Sequence, residues 1–229
     1  MTLVTTPDRP LRLGEIIAET VRIYGERIWA AFGIGAVLAA AFVLASVVHV
    51  AVGVAVVSAA FTGCYAAAAR IVSGDTFAEA WAQVGLRVPI LLVLAFVVAL
   101  PFAVAVGYFI LIILAVAWLA LTGFAIPVAM LERDPKVDGW FARLGFALQR
   151  SVVLARTEYL HAAGVAATLV MTYLLVGILL RAVLEGFADN GGFAAAAVVQ
   201  LVLAPFFFIG LSVLYFEQCA RALSSPRPH

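Results

Sequence analysis

The chain has 229 residues, of which 66% are hydrophobic and 12% charged, with a formal net charge of +1. Soluble domains are about 45–50% apolar, and a globule of this length leaves much of its surface in water. A soluble fold is therefore excluded, and the bilayer must solvate most of the chain. The near-zero charge, with Lys and Arg scattered at segment ends, argues against a nucleic-acid partner.

The first apolar run is preceded by Asp8, Glu15, Glu19 and Glu26 together with Arg9, Arg12, Arg22 and Arg27. A secretory signal has a short basic start and a 7–15-residue apolar core; the run here is longer, and Met1 is expected to be retained. Within this segment Arg12, Glu15, Glu19, Arg22 and Glu26 recur at three- and four-residue spacings. Leu13, Ile16, Ile17, Thr20, Tyr24 and Ile28 take the other face, which predicts an amphipathic helix. Arg22 and Glu26 form an i,i+4 pair.

Apolar runs follow at about 28–48, 50–72, 88–106, 108–131, 159–184 and 193–214. Each is near the ~20 residues a helix needs to cross a bilayer core, and backbone groups in lipid must be satisfied within their own segment. Tight turns at His49 and Gly107 make hairpins of the first and second pairs. A four-span reading with two long bent helices would have to carry Pro101 and Gly107 in its second helix, and both argue for a break.

The second and third amphipathic segments lie between the runs. Thr76 followed by Glu79 is a capping box, with Phe77, Trp81, Val84 and Val88 on one face. From Asp138 to about Arg156, Trp140, Phe141, Leu144, Leu148 and Val152 are expected on the apolar side. Trp29, Trp81, Trp140 and Tyr159 are expected at interfacial depth.

Every Lys and Arg except Arg181 then falls on one side of the six runs. Basic residues in short loops stay in the cytoplasm, so both termini are expected inside. The sequence predicts an all-α polytopic membrane protein. It is a single integral membrane domain over 1–229, with six transmembrane helices and three cytoplasmic-side amphipathic interfacial helices. Three units result, 11–72, 75–131 and 136–222, each an amphipathic helix leading into a hairpin. Ala59, Gly63 and Ala67, and Gly164 with Thr168, offer small faces for helix packing. Pro101, Pro127 and Pro205 predict kinks.

Leu13-Gly14-Glu15-Ile16-Ile17 followed by Arg22-Ile23-Tyr24, the stretch from Ala147 to Arg156, and Leu214-Tyr215-Phe216-Glu217 with Arg221 carry a resemblance. The chain resembles bacterial six-span membrane proteins related to the membrane domain of glycerophosphodiester phosphodiesterases. The catalytic barrel of those enzymes has no counterpart in this sequence, so the resemblance implies a fold and a bacterial inner membrane, not a reaction.

Chemistry-bearing residues are few. Arg181 and Glu185 end the fifth run as an i,i+4 pair before the turn Asp189-Asn190-Gly191-Gly192. They are read as a solvated helix end, or else as a contact for a headgroup or substrate. Glu217 and Arg221 are read as an interfacial ion pair that ends the sixth span, or else as a docking point for a cytoplasmic partner. Gln200 is the mid-membrane polar group, suited to an interhelical hydrogen bond worth about 0.5–2 kcal/mol. Glu158 and His161 have the Glu-x-x-His spacing of di-iron bundles but lack the further carboxylates. His49 is read as a turn residue, and Cys64 and Cys219 as apolar packing residues. No catalytic motif, metal set or cofactor site is expected.

These features point to a non-enzymatic membrane component, a lipid-associated scaffold or accessory subunit. Membrane lipids, and a membrane or cytoplasmic protein, are its expected partners. The alternative is a transporter, or the membrane subunit of one, for a lipid or other apolar substrate; a polar solute would need a polar path through the bilayer. An intramembrane enzyme would have only Glu217 and His161 to draw on.

Overall fold

In the computed structural model, which describes residues 11–99, 101, 111–132, 139–186 and 191–224, the chain is helical throughout and has no strand among those residues. The helices are α1 (Leu13–Glu26), α2 (Ile28–Val47), α3 (Val50–Val72), α4 (Phe77–Leu86), α5 (Val88–Leu94), which runs into a π-helical turn at Ala95–Ala99, α6 (Ile112–Thr122), α7 (Ala125–Leu131), α8 (Trp140–Thr157), α9 (Tyr159–Glu185) and α10 (Gly191–Ser224).

Five stretches are long and apolar enough to cross a membrane: Ile28–Val47, Val50–Val72, Ile112–Leu131, Tyr159–Glu185 and Ala194–Ser224. The bent pair α4 and α5 with its π turn, folded by 82° at Arg87, makes a sixth candidate. The end expected for the third run, the Gly107 turn, the start of the fourth run and the Asp189-Asn190 turn lie outside the described residues.

The centre is the pair α3 and α10. From Thr62 to Ala69 every residue of α3 is buried, which its run of Gly, Cys and Ala side chains permits because neighbouring helices can approach on all sides. Tyr65 stacks on Phe208 of α10 at 6.0 Å, and its hydroxyl donates to the Leu211 carbonyl at 3.4 Å. The two cysteines are free; Cys64 is buried, with its thiol 3.5 Å from the Ile34 carbonyl of α2.

The prolines act through carbonyls they leave without a backbone donor. Pro127 cannot donate to the Gly123 carbonyl. Ile126 bonds it instead at 3.4 Å, and the helix breaks between α6 and α7. Pro205 likewise cannot donate to the Leu201 carbonyl inside α10. That oxygen lies against Gly35 of α2, where a Cβ would clash with it. One residue on, the Val202 carbonyl accepts from the Tyr24 hydroxyl of α1 at 3.2 Å. In the π turn, the Val97 carbonyl is met by the Trp118 indole N–H at 2.9 Å.

The amphipathic segments are helices, and each packs against the bundle. α1 buries Ile16, Thr20 and Ile23. α4 has the Thr76/Glu79 capping box expected of it, with the Thr76 N–H donating to Glu79 at 2.9 Å. On α8, Leu144 and Leu148 of the expected apolar face pack against the core, the fully buried stripe is Ala147, Ser151, Leu154 and Ala155, and Trp140 and Phe141 stack on each other in the open. The cause is local: the Ser151 hydroxyl donates to the Leu121 carbonyl at 2.8 Å, and the small residues beside it allow close contact. Trp81 covers Gly63 of α3. The Gly164/Thr168 face is unused, because Gly164 has nothing within 4 Å of where a Cβ would stand.

Candidate functional site

A cavity of about 420 Å³ lies between α2, α3, α9 and α10. This is within the 300–1,000 Å³ range of ligand pockets. α2 contributes Leu38, Phe42 and Ser46, and α3 contributes Gly53, Ser58 and Phe61. Tyr173 comes from α9, and Gln200, Phe207 and Phe208 from α10. Its position follows from the packing just described: Leu38 lies one helical turn beyond the Gly35–Leu201 contact that fixes α2 on α10. Ser46 and Val50, both exposed, place its mouth at the α2–α3 turn. At 1.5 Å per residue, Ser58 stands ~12 Å from the start of α3 and Gln200 ~14 Å from the start of α10. A helix spanning a membrane core needs about 30 Å, so both groups lie well inside the length of their helices.

The walls are aromatic and carry no charged side chain. Phe61 meets Phe208 edge-on at 4.8 Å and Phe207 at 6.0 Å, and Tyr173 lies 6.0 Å from Phe207. Besides Ser46 at the mouth, whose hydroxyl donates to the Val43 carbonyl at 2.7 Å, three polar groups stand against this apolar lining. Ser58 is 3% exposed, and its hydroxyl has no hydrogen-bond partner. The Gln200 amide neighbours the Tyr173 hydroxyl across the α9–α10 contact, and its Oε1 is also buried without a partner. A buried polar atom left unpaired costs about 1–3 kcal/mol. Two such atoms in one cavity mark a place where a ligand gains by supplying what the fold does not.

A second polar cluster lies near the other ends of α9 and α10. Glu217 is completely buried. Arg221, one turn on, donates through Nε to Glu217, pairs through Nη1 with Glu158, and donates through Nη2 to the Leu11 carbonyl at 3.1 Å. The Gln218 side chain donates to the other Glu217 oxygen at 2.9 Å, and His161 Nε2 stands 3.8 Å from Glu217. Arg221 thus sits between the carboxylates of Glu158 and Glu217, where a metal ion would have to sit in a di-iron arrangement. Among the described residues no group of three His, Cys, Asp or Glu is placed to hold a metal. The Glu217–Arg221 pair stands in the last turns of α10, which ends at Ser224. Nearby, Glu132 accepts from Arg150 at 3.0 Å and from the Tyr215 hydroxyl at 2.9 Å.

Arg181 and Glu185 pair at 2.7 Å at the far end of α9, both well exposed and remote from the other cluster. His49 caps α3, its Nδ1 accepting from the Ala51 N–H at 3.3 Å.

Of the residues singled out in the sequence, the fold brings Gln200 to the cavity and Glu217 with Arg221 into the second cluster, and it leaves Arg181 and Glu185 apart. Sequence reasoning missed Ser58 and Tyr173. Their only signal is a hydroxyl within an apolar run, which Thr62 and Thr168 share, and those two hydroxyls turn back to their own helices at 3.0 and 2.9 Å. No protein-family model matches the chain, and neither does any curated protein or solved structure.

Proposed function

We propose that this chain is a six-span protein of the bacterial cytoplasmic membrane, with both termini inside, and that it works without catalysis as a lipid-associated scaffold or accessory subunit. The observation that carries the reading is the uncharged aromatic cavity at membrane depth, open at one end of the helices. A site of this kind binds by apolar contact with a few polar groups for orientation, and the surrounding bilayer supplies its ligands.

The orientation rests on the placement of Lys and Arg. The exposed rings of Trp29, Trp140 and Phe141 support an interfacial position for α1 and α8, since amphipathic rings prefer headgroup depth. The resemblance to the membrane domain of glycerophosphodiester phosphodiesterases agrees with the same setting and brings no reaction with it.

The test is purification in native nanodiscs followed by mass spectrometry of everything retained. A lipid or other apolar molecule held through exchange into fresh lipid is the expected result. A protein held in fixed ratio with no retained ligand would make the chain a scaffold alone, and a bound ATPase would turn the reading to the membrane subunit of a transporter.

A further inference from the structure

We infer that the cavity selects an uncharged membrane-soluble molecule carrying a hydroxyl or carbonyl group on a bulky apolar body, and rejects phospholipid headgroups. The inference rests on the ligand-binding reading above and narrows it to a chemical class. Three observations lead to it.

The first is charge. None of the lining residues is ionisable at neutral pH, and Arg181, the cation on the outer half of α9, is already paired with Glu185. A phosphate drawn to the depth of Ser58 would be an unpaired charge away from water, which is far costlier to bury than a neutral polar group.

The second is the pair of unmet hydrogen-bonding groups. Ser58 Oγ both donates and accepts, and Gln200 Oε1 accepts only. A ligand hydroxyl can serve either group, and a ligand carbonyl can accept from Ser58. A plain hydrocarbon tail would leave both unmet.

The third is shape and surface. Phe42, Phe61, Tyr173, Phe207 and Phe208 wall the space with rings. Edge and face contacts between rings add to plain area burial, so a ring or branched body is held better here than a single thin chain. Two kinds of membrane molecule share this chemistry, an isoprenoid quinone or its quinol and a diacylglycerol.

The full chain in phosphatidylcholine nanodiscs is exposed to light-activated analogues of decylubiquinone, of dioleoylglycerol and of phosphatidylglycerol. The labelled peptides are then mapped by mass spectrometry. Labelling around Ser58 and Gln200 by a neutral probe, removed by an excess of its unlabelled parent, is expected. Which of the two neutral probes is displaced by the other assigns the source. Ser58→Ala and Gln200→Leu should each reduce that labelling about fivefold or more, the scale of one hydrogen bond. An unchanged melting temperature shows that the variants still fold, and competition on the unaltered chain tests the same selectivity without them. Equal labelling of these peptides by the phosphatidylglycerol probe would overturn the neutral-ligand inference and leave lipid binding standing. No labelling there by any probe would overturn both.

Discussion

Gly35 shows how much rests on one missing side chain. The Leu201 carbonyl that Pro205 leaves without a donor is pressed against it. The obstruction to a Cβ is backbone and cannot turn aside. Gly35→Ala is therefore expected to destabilise the protein by about 1–3 kcal/mol, the range for overpacking a close contact. Gly164→Ala is the matched control. Nothing lies near it, and Ala is the better helix former by up to ~1 kcal/mol, so its melting temperature should hold or rise. Equal melting temperatures for the two variants in one detergent would refute the contact. Glu19 gives a residue-scale effect of opposite character. Its hydrogen bond to Arg22 holds the carboxyl below its ordinary value of 4.5. A lowered folded-state value means that the pair's contribution is full above pH 4.5 and disappears as pH falls through the lowered value. Arg22 is exposed, so the contribution is at most ~1 kcal/mol and is screened by salt. The unaltered chain should melt slightly above Glu19→Gln at neutral pH and low salt, and the gap should close on acidification or on adding salt.

Among the elements, the ends of α9 and α10 are tied together by Arg221, which joins Glu217 of its own helix, Glu158 ahead of α9, and the Leu11 carbonyl ahead of α1. Removing it with Arg221→Ala leaves a fully buried carboxylate without its cation, a loss of about 3–5 kcal/mol. Neutralising the partner as well, in Glu217→Gln with Arg221→Ala, should recover most of that loss, because the desolvated charge is gone. If thermal melts show the double variant to be as unstable as Arg221→Ala, the loss comes from the Leu11 and Glu158 contacts instead. The pairing of Arg221 with Glu217 is legible from a four-residue spacing, as is that of Arg181 with Glu185, and the cap of α4 is legible from Thr76 and Glu79. These are local relations that helix geometry fixes. The tie to Glu158 and Leu11 is not legible, since it depends on which helix ends meet. The α8 face is legible only in part, with Leu144 and Leu148 on the core, for a related reason. Its largest apolar side chains, Trp140 and Phe141, belong to the outside, and a hydroxyl bonded to a neighbouring helix lies on the buried stripe. In a membrane, apolar side chains do not distinguish the core from the lipid, and small residues do.

At the scale of the whole molecule, the runs near 28–48, 50–72 and 159–184 were legible almost to the residue, because only length and apolarity are needed to span a bilayer. The cavity was not, because it takes side chains from two helix pairs, α2 with α3 and α9 with α10, that lie far apart in sequence. Orientation is the property that the helices themselves leave open, and the basic residues argue for one answer. Arg143 lies on α8 and Arg181 at the opposite end of the bundle, beyond the apolar length of α9. With Cys64 and Cys219 first changed to Ala, a single cysteine in place of Arg143 should react with a membrane-impermeant maleimide only after the cells are opened. A single cysteine in place of Arg181 should react in intact cells, being exposed at the other face. Removing Arg181 also removes the one basic residue that the proposed orientation puts outside, so the substitution strengthens the charge bias and does not invert it. The reverse labelling pattern would turn the protein over. It would place the mouth of the cavity on the cytoplasmic side, so that any ligand held at Ser58 and Gln200 would enter from the inner leaflet.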